Sequence, residues 1–286
     1  MKGGIASIMG LIQALHETNT TLRNGLTFSF TPDEETGGLA GMGYLVKQRI
    51  IAADFGIITE PSQPHFVRIG HRGVLWVEVV TKGKTAHASM PYPGINAFKK
   101  LLRVAQGLED LERELEGKRT AAPVMVEEDK HPTICLGSVV RGGVKTHVVP
   151  DECSMMLDRR LIPEETTQEA FNEIRSVVEM LQRDDPELRV DLTQHLGIEA
   201  ASIAAESVLS QAVATCHAQI YGREPAIAMS PGFNDTHYMI REMGIPALTY
   251  GPGTTGTAHT PDEYIVIDDL YKTTQVLVQV VLTLLG

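Results

Sequence analysis

The pattern of apolar and polar residues predicts a chain that alternates helices and strands. The first fifteen residues, MKGGIASIMGLIQAL, carry apolar side chains at the three-and-four spacing of an amphipathic helix, namely Ile5, Ile8, Met9, Ile12 and Leu15. The next segment, GLTFSFT at 25–31, alternates apolar and polar residues, which is typical of a strand. A helix at 39–47 and a short buried strand in DFGIIT at 54–59 are predicted to follow.

The middle of the chain has a different order of elements. Its pattern predicts strand GVLWVEVVT, a long helix at 95–117, strands TICLGSVV and HVVPDECSMML, a helix with a Thr166/Glu169 capping box, and strand ELRVDLTQ. This β-α-β-β-α-β order is that of a ferredoxin-like domain. After it the chain returns to alternation, with a helix at 207–221, strand AIAMS, a helix at 236–242, strand PALTY and a terminal helix from Ile267.

These patterns predict an α/β protein of two domains. Residues 1–68 and 196–286 are expected to form one domain with a mostly parallel sheet, because strands and helices alternate there. Residues 69–195 are expected to form a ferredoxin-like domain inserted into the first. A chain of 286 residues is long enough for two domains.

The composition argues against two classes of binding partner and indicates a cellular compartment. The 36 acidic and 25 basic residues give a net charge of −11, which argues against nucleic acid or an anionic membrane as a partner. The sequence shows no segment long and apolar enough for a membrane span. Three widely spaced cysteines favour a reducing compartment over a disulfide framework, so a cytoplasmic protein is expected.

Polar loops follow four of the predicted strands of the first domain: TPDEETGG, TEPS, SPGFND and GPGTTGTAHTPDEY. The carboxyl ends of strands in an open parallel sheet form the ligand crevice. We therefore expect convergence of one imidazole and five carboxylates, namely His259, Asp33, Glu34, Glu35, Glu60 and Asp235. Such groups suit zinc and metal-assisted hydrolysis. Taken singly, each has a plainer explanation, such as a solvated acidic turn, a strand end or a hydrogen-bonded loop histidine.

Several motifs, in this order, resemble the di-zinc metallopeptidase family of acetylornithine deacetylase, succinyl-diaminopimelate desuccinylase, aminoacylase and glutamate carboxypeptidase. They are MKGGIAS, TPDEETGG, ITEPS, GHRGVLWVEVVTKGKTAHASMPYPGINA, VVPDECSMMLDRRLIPEET and GTAHTPDEY. The resemblance extends from the first residue to the last helix. It implies a zinc-peptidase-like catalytic domain with an inserted lid and dimerisation domain. It also implies metal-dependent hydrolysis of an amide bond in a small N-acyl amino acid or peptide.

The resemblance also implies a role for each matching residue. Glu34 resembles the general base that takes a proton from the attacking water and passes it to the leaving amine. Glu35 and His259 resemble ligands of one zinc ion, and Glu60 resembles a ligand of the other. Two zinc ions per subunit are implied, with cobalt as the alternative metal.

In the lid, His87 resembles a histidine that acts across a homodimer to stabilise the oxyanion. Arg160 resembles the arginine that binds the substrate carboxylate. A surface histidine is a plainer interpretation of His87, and one of Arg159 and Arg160 is expected to face solvent. The remaining candidate substrate-binding residues are His147, Asn234 and Gly253, the last within a loop expected to approach substrate with its backbone.

The sequence departs from the family pattern in two places. His147 stands before VVP where the family usually has asparagine, which bears on substrate preference. An aspartate that bridges both metals in the family, and a His-x-Asp motif further upstream, have no counterpart in the 286 residues. We expect Met1 to be an internal methionine of a longer protein. The alternative is a truncated or degenerate, catalytically impaired scaffold that dimerises.

Overall fold

The computed structural model describes residues 1–254, 256, 258 and 260–286, and it divides into two compact units. The first, here the outer unit, comprises residues 1–71, 122–125 and 201–286. The second, the middle unit, comprises residues 72–121 and 126–200. The sequence places the boundaries at 68/69 and 195/196, and the structural division falls three to five residues later, with residues 122–125 returning to the outer unit.

The outer unit contains helices and short strands in alternation. Its helices are α1 (Lys2–Glu17), α2 (Met42–Lys47), α5 (Val208–Tyr221) and α6 (Ile267–Leu285). Its strands are β1 (Gly56–Ile58), β2 (Phe66–His71), β7 (Ala201–Ser202), β8 (Ala226–Ser230) and β9 (Ala247–Thr249). A 3-10 turn spans Glu34–Thr36, and a π-helical turn spans Tyr238–Glu242.

The sheet of the outer unit is mixed. β1 pairs in parallel with β9, and β2 pairs in parallel with β8. β2 also pairs antiparallel with β9 and with β7, so the sheet is less parallel than the sequence predicts. Buried apolar residues of α1, α5 and α6 pack with those of β2, β8 and β9. This core supports the strand ends from which the candidate site is built.

The middle unit has the element order that the sequence predicts. It runs β3 (Gly73–Lys82), α3 (Ala97–Leu115), β4 (Thr133–Gly142), β5 (Glu152–Leu161), α4 (Thr167–Asp184) and β6 (Arg189–Ile198), with a 3-10 turn at Glu127–Lys130. The strands form one antiparallel sheet in the order β4-β5-β3-β6. Alternate residues of β3, including Leu75, Val77 and Val79, are buried with apolar residues of α3 and α4. The α/β class and the β-α-β-β-α-β order therefore follow from the periodicity of the sequence.

The start of α4 confirms a capping prediction. The Thr166 hydroxyl accepts from the Glu169 backbone N–H, and the Glu169 carboxylate accepts from the Thr166 backbone N–H. This reciprocal arrangement satisfies two backbone groups that a helix otherwise leaves without partners.

One prediction for the outer unit is wrong, and one of its strands is missed. Residues 25–31 form no strand among the described residues, because none of the described strands pairs with them. Helix α1 forms as expected, but it buries Gly4, Ser7 and Leu11 and leaves Met9 62% exposed. Its small residues allow close approach to Thr59 and Thr274, which the apolar pattern does not reveal. Strand β2 is missed, since FVRIGH carries an arginine and a histidine that are both buried.

Helices long and apolar enough to span a membrane are absent from the described part of the chain.

Candidate active site

A compact loop at 33–40 presents the first two candidate carboxylates. Asp33 adopts a left-handed conformation, with φ of 81°, immediately before the 3-10 turn that carries Glu34 and Glu35. The Asp33 carboxylate accepts from the Thr36 hydroxyl and from the Ala40 backbone N–H at 2.8 Å, which lowers its pKa. Asp33 therefore shapes the loop, and the two glutamates project from it.

Glu60 follows β1, and two glycines from other segments, Gly4 and Gly251, pack against the backbone at Thr59 and Glu60. A side chain at Gly4, in α1, would overlap the Thr59 carbonyl, and a Cβ at Gly251 would lie 2.5 Å from the Glu60 carbonyl oxygen. Glycine is needed at both positions because other backbone atoms occupy the space of a side chain. The start of α1 and the chain after β9 are thereby held against the segment that presents Glu60.

Asp235 follows β8 and is buried beside the loop at 33–40. A Cβ at Gly38 would overlap the Asp235 carboxylate, and the Tyr238 hydroxyl donates to the Gly37 carbonyl at 2.6 Å. Neighbouring Asn234 is also buried, and its amide donates to the Thr249 hydroxyl at 2.7 Å. Asp235 therefore lies against the loop that carries Glu34 and Glu35.

We call Glu34, Glu35, Glu60 and Asp235 the acidic cluster. Burial, together with the charges of the other three carboxylates, raises the pKa of Glu34 to about 8, against the opposing effect of the Met1 amino group. Burial, with the charges of Asp235 and Glu35, raises the pKa of Glu60 to about 7. Burial raises the pKa of Asp235 to about 6, with a contribution from Asp33. The four carboxylates therefore lie within electrostatic reach of one another.

The acidic cluster has the electrostatics of a cation site, since a bound cation would relieve the repulsion between its carboxylates. Glutamate and aspartate oxygens are also among the ligands of zinc. Within residues 1–254, 256, 258 and 260–286, however, no three His, Cys, Asp or Glu side chains have the spacing of a metal site. The predicted ligand His259 lies outside the described residues. The donor chemistry fits a metal, while the described residues provide only part of a coordination sphere.

A turn formed by Gly251, Pro252 and Gly253, here the glycine turn, lies beside Glu60. Ser62 donates its backbone N–H to the Gly251 carbonyl at 3.2 Å, and Gln63 donates its own to the Gly253 carbonyl at 3.1 Å. The Gly253 N–H donates to the Asp269 carboxylate at 2.7 Å. The polar backbone groups of Gly253, a predicted substrate-binding residue, therefore already have partners within the protein.

The structure brings together two candidate histidines of the middle unit. His87 forms an isolated antiparallel bridge with Val148, and its ring centroid lies 6.1 Å from that of His147. Both histidines are exposed. The His87 Nδ1 accepts from the Ser89 backbone N–H at 3.2 Å, so the ring proton belongs on Nε2, which can donate a hydrogen bond.

The paired arginines of β5 point to opposite faces of the sheet, as adjacent strand residues do. Arg159 is fully buried and its Nη2 lies 2.6 Å from the Glu165 carboxylate. Arg160 is partly exposed, and its Nε and Nη2 donate to the two oxygens of Asp158 at 2.7 and 2.8 Å. Arg160 is thus the member of the pair in contact with solvent, and both guanidinium groups are held by carboxylates.

Two residues that support the site carry no functional signal in the sequence. Asp269 reads as an ordinary acidic residue in the first turn of α6, and Tyr238 reads as part of a short helix. Their contacts join segments more than ten residues apart, so local pattern does not reveal them.

The chain resembles known proteins over almost all of its length. The model of peptidase family M20/M25/M40 matches residues 1–283. N-formyl-4-amino-5-aminomethyl-2-methylpyrimidine deformylase of Halalkalibacterium halodurans is 26% identical, over 97% of this chain and 68% of the relative. Acetylornithine deacetylase of Myxococcus xanthus is 26% identical, over 91% of this chain and 65% of the relative.

The fold is similar to that of a dinuclear metal-binding peptidase of the M20 family from Bacillus subtilis. The TM-score is 0.68 at 19% identity, and the match covers 98% of this chain and 70% of that protein. The chain spans about two thirds of the length of these relatives. Because the family model covers nearly every residue, the chain belongs to peptidase family M20/M25/M40.

Proposed function

We propose that the protein hydrolyses an amide bond in a small N-acyl amino acid or peptide, with metal ions as cofactors. The observation that carries this proposal is the electrostatic coupling of Glu34, Glu35, Glu60 and Asp235, which come from three separate segments of the outer unit. Two of the relatives are named for the removal of a formyl or an acetyl group. Release of a small acyl group from an amine is the chemistry that these names share, and a succinyl group is a further candidate.

Glu35, Glu60 and His259 are the residues that would hold zinc or cobalt, two ions per subunit by resemblance to the family. When bound, such ions polarise a carbonyl oxygen and lower the pKa of water. A dinuclear site in the M20 peptidase of similar fold supports this proposal. The proposed role of Glu34 is to accept a proton from the attacking water and to return it to the leaving amine.

Further substrate contacts are proposed by resemblance to the family. Acting across a homodimer, the Nε2–H of His87 would donate to the oxyanion that develops on the carbonyl oxygen. Arg160 would bind the substrate carboxylate through N–H groups that Asp158 leaves available, since guanidinium has five donors. Asn234, His147 and Gly253 stay candidate substrate-binding residues.

We further propose a cytoplasmic homodimer that assembles through the middle unit. Strand β4 lies at the edge of its sheet, and its residues Val139 and Val140 are exposed, as is Val144 just after the strand. An edge strand with exposed apolar residues is a ready surface for a second chain. The described cysteines, Cys135, Cys153 and Cys216, are all free thiols, which suits a reducing compartment.

A catalytically impaired dimeric scaffold is the second candidate function. In such a scaffold the acidic cluster would serve no turnover. Of the five protein ligands that the family resemblance implies, the printed sequence contains Glu35, Glu60 and His259.

The two functions can be separated by an assay of the protein expressed from its complete gene. N-formyl, N-acetyl and N-succinyl amino acids would be supplied with zinc or cobalt, and with a chelator as the control. We expect release of at least one of these acyl groups, abolished by the chelator and lowered about 10²- to 10⁴-fold by Glu34→Gln. Equal, background rates for the wild type and Glu34→Gln on every substrate would favour the scaffold.

A further inference from the structure

The glycine turn is fixed by hydrogen bonds to two segments, residues 62–63 and the first turn of α6. Its carbonyl groups accept from the backbone of Ser62 and Gln63, which directly follow Glu60 and Pro61. Its last N–H, that of Gly253, donates to Asp269 in the first turn of α6 at 2.7 Å. Gly253 has φ of 99°, a conformation that other residues rarely adopt. The turn is thus held from both sides in a conformation specific to glycine.

Asp269 is itself held in place by aromatic residues of α5. Its second carboxylate oxygen accepts from the Tyr221 hydroxyl at 2.7 Å. The Tyr221 ring stacks on the buried His217 ring, with centroids 4.3 Å apart and planes 8° from parallel. The Asp269 side chain is buried, so its hydrogen bonds to Gly253 and Tyr221 are protected from competition by water.

We propose that Asp269 is a positioning residue for the active site, which acts by fixing the glycine turn against the segment that presents Glu60. The proposal rests on the proposed function. The glycine turn packs on the Glu60 backbone through Gly251 and leads, six residues after Gly253, to His259. One carboxylate therefore restrains the chain next to both of these proposed ligands. A loss of the restraint would loosen the turn and weaken metal binding, as loss of outer-shell support does elsewhere.

A hydrogen-bond acceptor, rather than a negative charge, is what the Gly253 N–H requires. Asn in place of Asp269 keeps an acceptor oxygen of the same reach and offers its amide to the Tyr221 hydroxyl. Asp269→Asn should therefore preserve the turn, whereas Asp269→Ala removes both bonds. Tyr221→Phe removes the bonds of the Tyr221 hydroxyl to the far oxygen of Asp269 and to the Thr273 hydroxyl, and it leaves Gly253 with its acceptor.

The first readout is amide hydrogen exchange of the peptide that contains residues 250–254, measured by mass spectrometry in the protein expressed from its complete gene. We expect exchange at least tenfold faster in Asp269→Ala, and wild-type exchange in Asp269→Asn and Tyr221→Phe. Asp268→Ala is the matched control, because the Asp268 side chain is 71% exposed and pairs only with Lys272 among the contacts found in the described chain. Equal exchange in Asp269→Ala and Asp268→Ala would overturn the proposal.

The second readout is affinity for cobalt, measured by titration of the metal alone well below the unfolding temperature of every variant. We expect binding about 10- to 100-fold weaker in Asp269→Ala and unchanged in Tyr221→Phe. Equal losses in these two variants would reveal a general effect on folding and would also overturn the proposal. If the wild type binds no cobalt, the proposed function fails, while the exchange experiment still decides whether Asp269 fixes the turn.

Discussion

Removal of Arg159 is expected to destabilise the middle unit, whereas removal of its neighbour Arg160 is not. The Arg159 side chain is inaccessible to solvent and contacts the Glu165 carboxylate at 2.6 Å and the Arg160 carbonyl at 2.5 Å. The Arg160 side chain is 26% exposed and pairs with Asp158. The two residues are chemically identical and adjacent, so they form a matched pair.

The expected magnitudes differ because of burial. Deletion of one member of a buried ion pair costs about 3–5 kcal/mol, since the remaining charge stays buried. Glu165 keeps a second partner, Lys118 at 2.8 Å, so Arg159→Ala should lie at the low end, about 3 kcal/mol. Arg160→Ala breaks a pair in contact with solvent and should cost about 0–1 kcal/mol. If Arg160 binds the substrate carboxylate, its loss should raise KM about 10- to 150-fold, from about 1.5–3 kcal/mol for a charged hydrogen bond.

Urea unfolding followed by tryptophan fluorescence measures this difference. Trp76 is the sole tryptophan of the chain and lies in β3 of the middle unit. Its indole N–H donates to Asp158 at 2.9 Å, so folded-state fluorescence must be recorded separately for each variant. Similar unfolding free energies for Arg159→Ala and Arg160→Ala would refute the structural role given to Arg159.

Three further predictions concern other parts of the molecule. His87→Ala should lower kcat about 10²- to 10³-fold, as loss of an oxyanion donor does, without a change in bound metal measured by elemental analysis. Gly251→Ala should lower the unfolding temperature, because its Cβ would lie 2.5 Å from the Glu60 carbonyl oxygen. Asp185 is held by Lys100 at 2.7 Å, which lowers its pKa below the ordinary 3.8. The contribution of Asp185 to stability is therefore present above about pH 4 and lost as the pH falls below that value. In urea unfolding, Asp185→Asn should lower the free energy of unfolding at pH 7 and change it little at pH 2.

Each of these predictions has a control within the chain. Loss of metal from His87→Ala would contradict its assignment to the oxyanion. Gly222 has a left-handed backbone, but a Cβ there would meet no atoms within 4 Å. Gly222→Ala should therefore lower the unfolding temperature less than Gly251→Ala does. Asp184→Asn removes an exposed carboxylate beside Asp185 and should change stability little at either pH. Equal effects of Asp184→Asn and Asp185→Asn would refute the role of the Lys100 pair.

The sequence predicts the middle unit well because its cues are local. Apolar residues at helical spacing predict α3 and α4, and alternating apolar and polar residues predict β3. The capping box at Thr166 predicts the start of α4. The strand predicted at 25–31 fails because a strand depends on a neighbour that local sequence does not specify. Helix α1 likewise presents a buried face of small residues, which close packing selects and hydrophobicity does not.

The candidate site shows the same division between local and long-range information. Glu60 and Asp235 do follow strands, β1 and β8, and the carboxyl ends of strands in one sheet share an edge, which is a local cue to their approach. Glu34 and Glu35 lie in a loop that follows no described strand, so their approach depends on tertiary packing. The support that Asp269 gives to Gly253 joins residues sixteen apart through the folded core. The distinction between Arg159 and Arg160 depends on which face of β5 meets the helices, which the repeated arginine does not reveal.

The proposed metal-dependent hydrolase is tested most directly by measuring bound metal and turnover together in the wild type and Glu34→Gln, with Glu60→Gln beside them. We predict that Glu34→Gln keeps the metal content of the wild type and loses turnover, because Glu34 moves a proton rather than holding the metal. Glu60→Gln should lose metal and turnover together. Retention of wild-type turnover by Glu34→Gln, or loss of metal from it, would contradict the roles assigned to the acidic cluster.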